Sequence, residues 1–259
     1  MDRRDSWFVK SKHAVVLDRG NYTSCTVNLL GATVTSWRIN DKEMLFLSRE
    51  SHFTGLSHIA GGIQFAFPIL GDWEFGPKNG FARKTLWKLV GGPEKLHSGD
   101  VCATFSLMYN PYTLSFWNFK FELFYKVTLY EKKIDFQITV VNWDTYPMEF
   151  VIVQRCLWRV NDVTKCKIKG LKNCKYKDFL RNGLTFQEER EDVMVTEKLD
   201  RVYSRTPNKL VLKNTVDGGS LNLLRRNSRD VLLWNPWIGD SLKGMDLGNS
   251  CYLTILVSR

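Results

Sequence analysis

Apolar residues recur at every second position through most of this chain, and that spacing limits what it can fold into. The runs FKFELFYKVTLY (119–130) and IDFQITVVNW (134–143) both alternate, with Glu131-Lys132-Lys133 between them. Successive side chains of a strand point to opposite faces, so each run can bury one side and wet the other. Two such runs around a short polar break predict a hairpin. Similar short runs recur at 14–18, 25–30, 32–37, 101–109, 149–160, 209–214, 220–226, 230–234 and 252–257. Between them lie the turn-prone pieces GGPEKLHSGD (91–100), NPYT (110–113) and VDGGS (216–220). No window keeps helical spacing long enough to predict a helix. Many short strands at such intervals predict an all-β antiparallel sandwich or barrel. With no linker-like tract or repeat, one domain is expected over 1–259. A sandwich of this kind places its ligand site on a concave sheet face or among strand-end loops, so site residues should be scattered along the sequence.

Composition narrows the partners. Hydrophobic residues make up 44% of 259, enough for a large core, yet no stretch approaches the ~18 uninterrupted apolar residues of a membrane helix. The first dozen positions, MDRRDSWFVKSK, carry charges throughout, which argues against a secretory leader. Six cysteines are scattered without a C-x-x-C pair, so no metal site is expected, and reduced thiols in a cytoplasmic setting are the default. Asn21-Tyr22-Thr23 matches a glycosylation sequon and is read as incidental in that setting. The net charge of +10 suits an anionic ligand, an acidic protein partner or nucleic acid. A local run, KCKIKGLKNCKYK (165–177), would put Lys165, Lys167 and Lys169 on one face of a strand. Such a face is usually a solvated exterior and otherwise an anion-attracting patch. It lacks the interleaved aromatics of a nucleic-acid stacking platform, so nucleic acid is disfavoured.

Four segments carry a family resemblance: AGGIQFAFPILGDW (60–73) running into NGFAR (79–83), VQRCLWRVNDVTKCKIKGL (153–171), LDRVY (199–203) and WNPWI (234–238). Their order, spacing and wording resemble glucose-6-phosphate 1-epimerases, the sugar-phosphate branch of the galactose mutarotase (aldose 1-epimerase) superfamily. The resemblance runs from about Ala14 onward. It implies a galactose mutarotase-like antiparallel β-supersandwich, no cofactor, and a pocket for a sugar phosphate.

Mutarotation needs a base to take the anomeric proton and an acid to protonate the ring oxygen, each worth about 10²–10⁴ in rate. The resemblance implies a late-chain Glu as base, a central-strand His as acid, a second His before GFAR, an Asp, and arginines for the phosphate. Position by position, this chain departs from that set. Asn79 precedes Gly80, Arg155 stands where the acid His is expected, and Ser258 falls where the base is expected; no Glu follows Glu197. Ala60 replaces an arginine before the Gly-Gly pair, and Gln64 replaces a proline. Arg83, Asp200, Tyr203 and the Trp234–Trp237 block are retained, and His13, His52, His58 and His97 all lie elsewhere.

These replacements point to binding without turnover. An arginine stays protonated at physiological pH and cannot deliver a proton, asparagine does not titrate, and serine needs a base of its own. Asp200 is then the only retained catalytic candidate. Arg83 and Arg155 can clamp a phosphate or carboxylate, and Gln64, Asn79, Asp200, Trp234 and Trp237 complete the expected ligand-binding set. Each has a plainer reading: Trp234 and Trp237 as core, Asp200 paired with Arg201, Asn79 shaping a turn, which is favoured for that residue. Three readings stay open: a catalytically degenerate sugar-phosphate binder, a weakly active epimerase, and an interaction protein with a vestigial pocket.

Overall fold

The computed structural model describes residues 13–49, 51, 53, 59–237 and the backbone of 250–258. Alternation of buried and exposed side chains produces strands almost throughout. In chain order these begin with β1 (Ala14–Gly20), β2 (Thr23–Asn28), β3 (Thr33–Ile39), β4 (Lys42–Glu43) and β5 (Ile63–Ala66). An antiparallel meander follows: β6 (Lys88–Lys95), β7 (Val101–Met108), β8 (Phe121–Leu129) and β9 (Ile134–Asn142). Next come β10 (Val151–Arg159), β11 (Lys167–Lys169), β12 (Lys175–Asp178), β13 (Leu184–Gln187), β14 (Asp192–Met194) and β15 (Leu199–Ser204). The last are β16 (Lys209–Lys213), β17 (Ser220–Leu224), β18 (Asp230–Asn235) and β19 (Ser250–Ser258).

Eleven of these strands form one sheet, in the order β1-β2-β3-β5-β10-β19-β18-β15-β12-β13 with β4 beside β3. Two four-stranded sheets, β6-β7-β8-β9 and β14-β11-β16-β17, complete the all-β architecture. One buried cluster joins all three: Phe65, Trp158, Tyr203 and Leu233 from the large sheet, Phe105 and Tyr125 from the meander, Ile168 and Leu212 from the third sheet. Each such side chain contributes about 1.5–3 kcal/mol when fully buried. The large sheet therefore has an inner face turned to this core and an outer face that is not part of it.

The hairpin around Glu131–Lys133 forms as expected, with Leu129 opposite Ile134. Other expectations are corrected. GGPEKLHSGD is not all turn, because β6 runs through it to Lys95 as an exposed edge strand with irregular pairing at Gly91. Pro93 lacks the N–H a central strand needs, and an edge position tolerates that. NPYT opens a six-residue helix, Pro111–Phe116, because Asn110 accepts from the Thr113 amide while Thr113 Oγ1 accepts from the Asn110 amide. Lys165 lies in a 3-10 turn, so only Lys167 and Lys169 share a strand face, and both reach Asp192, at 3.6 and 3.2 Å. Among the described residues no helix is long and apolar enough to cross a membrane.

Candidate functional site

Register places the candidate residues. Val153 pairs with Ala66 and Arg155 with Gln64; on the other side of β10, Arg155 pairs with Thr254 and Leu157 with Tyr252. Thr254 pairs with Leu232, and Tyr252 with Trp234. Leu232 pairs with Val202 and Trp234 with Asp200. Paired residues lie on the same side of a sheet, so Gln64, Arg155, Trp234 and Asp200 share the outer face. A small apolar cluster floors it: Ala66 and Val153, buried, with Val151, Val202, Leu232 and Leu70 against them. Trp234 packs on Leu157, and the Arg155 guanidinium lies 5.6 Å from its ring centroid.

Arg83 approaches Arg155 from outside the sheet. It sits in a 3-10 turn, Ala82–Lys84, held against β5 by Gly80. Gly80 has φ +72°, and a Cβ there would lie 2.0 Å from the Phe67 carbonyl oxygen, so only glycine fits the approach. Phe81 adds an edge contact to Phe67, 5.9 Å between centroids, and a stacked one to Phe121 at 5.6 Å. Arg83 is thereby buried, with 7% of its surface exposed. Its Nη2 donates to the Lys78 carbonyl at 3.0 Å, while its Nε is buried with no hydrogen-bond partner among the described residues. Burial, and then the charge of Arg155, push its guanidinium down to about 10. A buried cation near a second cation attracts an anion.

Asp200 is half-buried on β15, and its carboxyl is raised above the ordinary range, first by burial and then by the charge of Asp178. Asp230, which sequence reasoning did not single out, lies on the same face and accepts from the Arg205 amide at 3.0 Å. The alternation of β18 was the available signal: Trp234, Leu232 and Asp230 are two apart.

Other expected contacts are spent elsewhere. Asn79, in the left-handed region at φ +61°, accepts from the Gly71 amide at 2.8 Å through its side chain, so it shapes a turn. The Gln64 amide donates to the Ile59 and Gly61 carbonyls. Trp237, half-buried, packs against the main core rather than beside Trp234. Tyr203 is fully buried on the inner face, where its hydroxyl donates to Glu188 at 2.9 Å, so no sugar ring can stack on it. Arg201, also on that inner face, pairs with Asp178, not with Asp200. Ser258 pairs with Val151 along the backbone, and its side chain lies outside the described residues, as do His52 and His58. His97 stands in the turn between β6 and β7.

An open sheet face carrying Arg155, a tryptophan and a half-buried carboxylate, with the buried Arg83 nearby, matches a family as well as a geometry: the chain fits the aldose 1-epimerase model over residues 13–254. It belongs to the aldose 1-epimerase family. Within that family it is 26% identical over 249 residues to a Cenchrus ciliaris protein provisionally named glucose-6-phosphate 1-epimerase, covering 93% of this chain and 76% of the relative. Its fold superposes on a Salmonella typhimurium protein provisionally described as a mutarotase, YeaD, with a TM-score of 0.82 at 20% identity, covering 94% of this chain and 81% of the other. The Slr1438 protein of Synechocystis gives 0.81 at 17% identity over 95% and 86% of the two chains. The aldose 1-epimerase fold is thus present, with these side chains on its open face.

Proposed function

We propose that this aldose 1-epimerase family member binds a sugar phosphate or similar carbohydrate anion without efficient anomer exchange. The observation that carries the reading is the outer face shared by Arg155, Trp234 and Asp200, with the Arg155 guanidinium 5.6 Å from the Trp234 ring and the buried Arg83 near enough to feel its charge. Arg155 stands where the resemblance expects a proton donor. Arg83, near 10, leaves only ~10⁻³ of its molecules neutral at pH 7, so neither group cycles a proton at useful speed. Both can fork onto a phosphate or carboxylate. Trp234 offers an apolar surface to a ring, and Asp200 an acceptor for hydroxyls. Missing both proton-transfer partners costs about 3–5 kcal/mol of barrier for each.

The raised carboxyl of Asp200 favours a second reading, slow epimerisation with Asp200 as base. Two measurements separate the readings. Calorimetry with glucose 6-phosphate is expected to give heat that disappears in the Arg83→Ala, Arg155→Ala double variant; heat that persists would remove the arginine clamp. Exchange NMR between the anomers is expected to show no acceleration at catalytic protein concentration, and clear acceleration abolished by Asp200→Asn would establish the enzyme instead. Rebuilding the site by Asn79→His, Arg155→His and Ser258→Glu is expected to restore some exchange.

A further inference from the structure

The outer face of the large sheet continues well beyond the residues a single sugar ring can touch. From Arg155 the register runs through Thr254, Leu232 and Val202 to Lys177 on β12. Four strand spacings of ~4.8 Å put the backbone positions of these two residues about 19 Å apart. Lys175 and Lys177 are exposed while Tyr176 and Asp178 between and beside them are buried, which puts both lysines on the outer face. Tyr176 confirms the assignment by packing on Tyr203 in the core, 4.9 Å between centroids.

These two lysines differ from others nearby. Lys165 pairs with Asp162, Lys167 and Lys169 with Asp192, and Lys172 with Glu191. Neither Lys175 nor Lys177 makes an ion pair with a described carboxylate. Between the two positive ends lie Leu232, Val202 and Trp234, with the carboxylate of Asp200 beside them and that of Asp230 on the same face, accepting from the Arg205 amide. A monosaccharide phosphate engages the Arg83–Arg155 end only. A uniform polyanion meets repulsion at Asp200.

We infer that the outer face takes an oligosaccharide bearing acidic groups near both ends, one on Arg83 and Arg155 and the other on Lys175 and Lys177, with neutral hydroxyls against Asp200. The inference rests on the pocket reading above and extends its ligand from one ring to several. Carboxylate and sulfate share the recognition chemistry.

The test is calorimetry with galacturonate, tetragalacturonate, a sulfated chondroitin tetrasaccharide and neutral maltotetraose. At least one acidic tetrasaccharide is expected to bind roughly tenfold tighter than galacturonate, and maltotetraose weakly. The Lys175→Glu, Lys177→Glu variant is expected to lose that advantage, roughly tenfold, whereas Lys209→Glu, Lys213→Glu, with the same change in net charge on the third sheet, retains it. Lys177→Gln provides a milder variant for which the loss is expected in part. No length advantage, or equal losses in the two charge-reversed variants, overturns the inference. If glucose 6-phosphate still binds in an Arg83-dependent manner, the pocket reading survives that failure; if neither glucose 6-phosphate nor any acidic sugar binds, both fall.

Discussion

The two faces of the large sheet treat buried arginine in opposite ways. On the inner face Arg201 meets Asp178 at 2.9 Å and Glu197 at 3.1 Å, while the exposed Arg190, just beyond β13, forks onto the buried Glu188 at 2.7 and 2.8 Å. Both guanidinium groups are held above their ordinary range: at Arg190 the bond to Glu188 does this directly, while at Arg201 burial opposes it and the bond to Asp178 prevails. Beside the outer face Arg83 has a carbonyl for a partner and a second arginine for a neighbour, and its affinity for protons falls. Arg225 stands between these cases. It is buried, donates to Thr206 Oγ1 and to the Pro207 and Asp230 carbonyls, and is lowered by burial, but with Asp230 rather than a cation beside it. Charge that the fold itself neutralises serves the fold. Charge placed beside like charge is a cost that a ligand can offset.

The contrast has measurable consequences. The largest is expected on the inner face: Asp178→Asn removes the buried carboxylate from Arg201 and leaves it only the exposed Glu197. That costs about 3–5 kcal/mol, a fall in Tm on the order of 10 °C by calorimetry. An unchanged Tm would remove the structural reading of that network. The outer face should respond with the opposite sign. Arg83→Met is expected to raise the Tm by a few degrees, because relief of the buried charge exceeds the ~1 kcal/mol hydrogen bond to Lys78. The same variant should lose any stabilisation by glucose 6-phosphate.

Asp200→Asn gives a smaller effect with a defined pH dependence. The folded carboxyl binds its proton more tightly than the unfolded one. Its contribution to stability is therefore present at low pH and lost as pH rises through the folded value. The variant should be more stable than the parent at neutral pH, and the difference should close below the unfolded value near 3.9. Melting curves from pH 3 to 7 test this, and a difference that grows on acidification would reverse the assignment. Smallest of all, Lys167→Ala with Lys169→Ala should change stability by less than about 1 kcal/mol, and less again in high salt, because the pairs to Asp192 are partly exposed.

Much of the fold was legible because period-two alternation reports a face directly, as at Phe121–Leu129 and Ile134–Asn142. Short strands such as β13 and β14 were not legible, since three or four residues carry too little alternation to stand out from a turn. Within the site, the expectation that Arg83 and Arg155 act together came from the resemblance and not from spacing, as they stand 72 positions apart in the sequence. The sidedness of Tyr203 was open to inspection: it is an odd number of residues from Asp200 on one strand, so the two cannot share a face. Asn79 and Gln64 were harder. Amide side chains satisfy local backbone as readily as ligands, and only coordinates reveal which they chose.

The contact between Gly80 and Phe67 has a consequence for engineering. A methyl group at position 80 would collide with main chain, which cannot swing aside as a flexible side chain does. The turn would have to lift off β5, and Arg83 would travel with it. A library that varies residues 79, 83 and 155 while sparing 80 would therefore redesign the chemistry on a fixed mount, whereas one that varies 80 would mostly sample broken mounts.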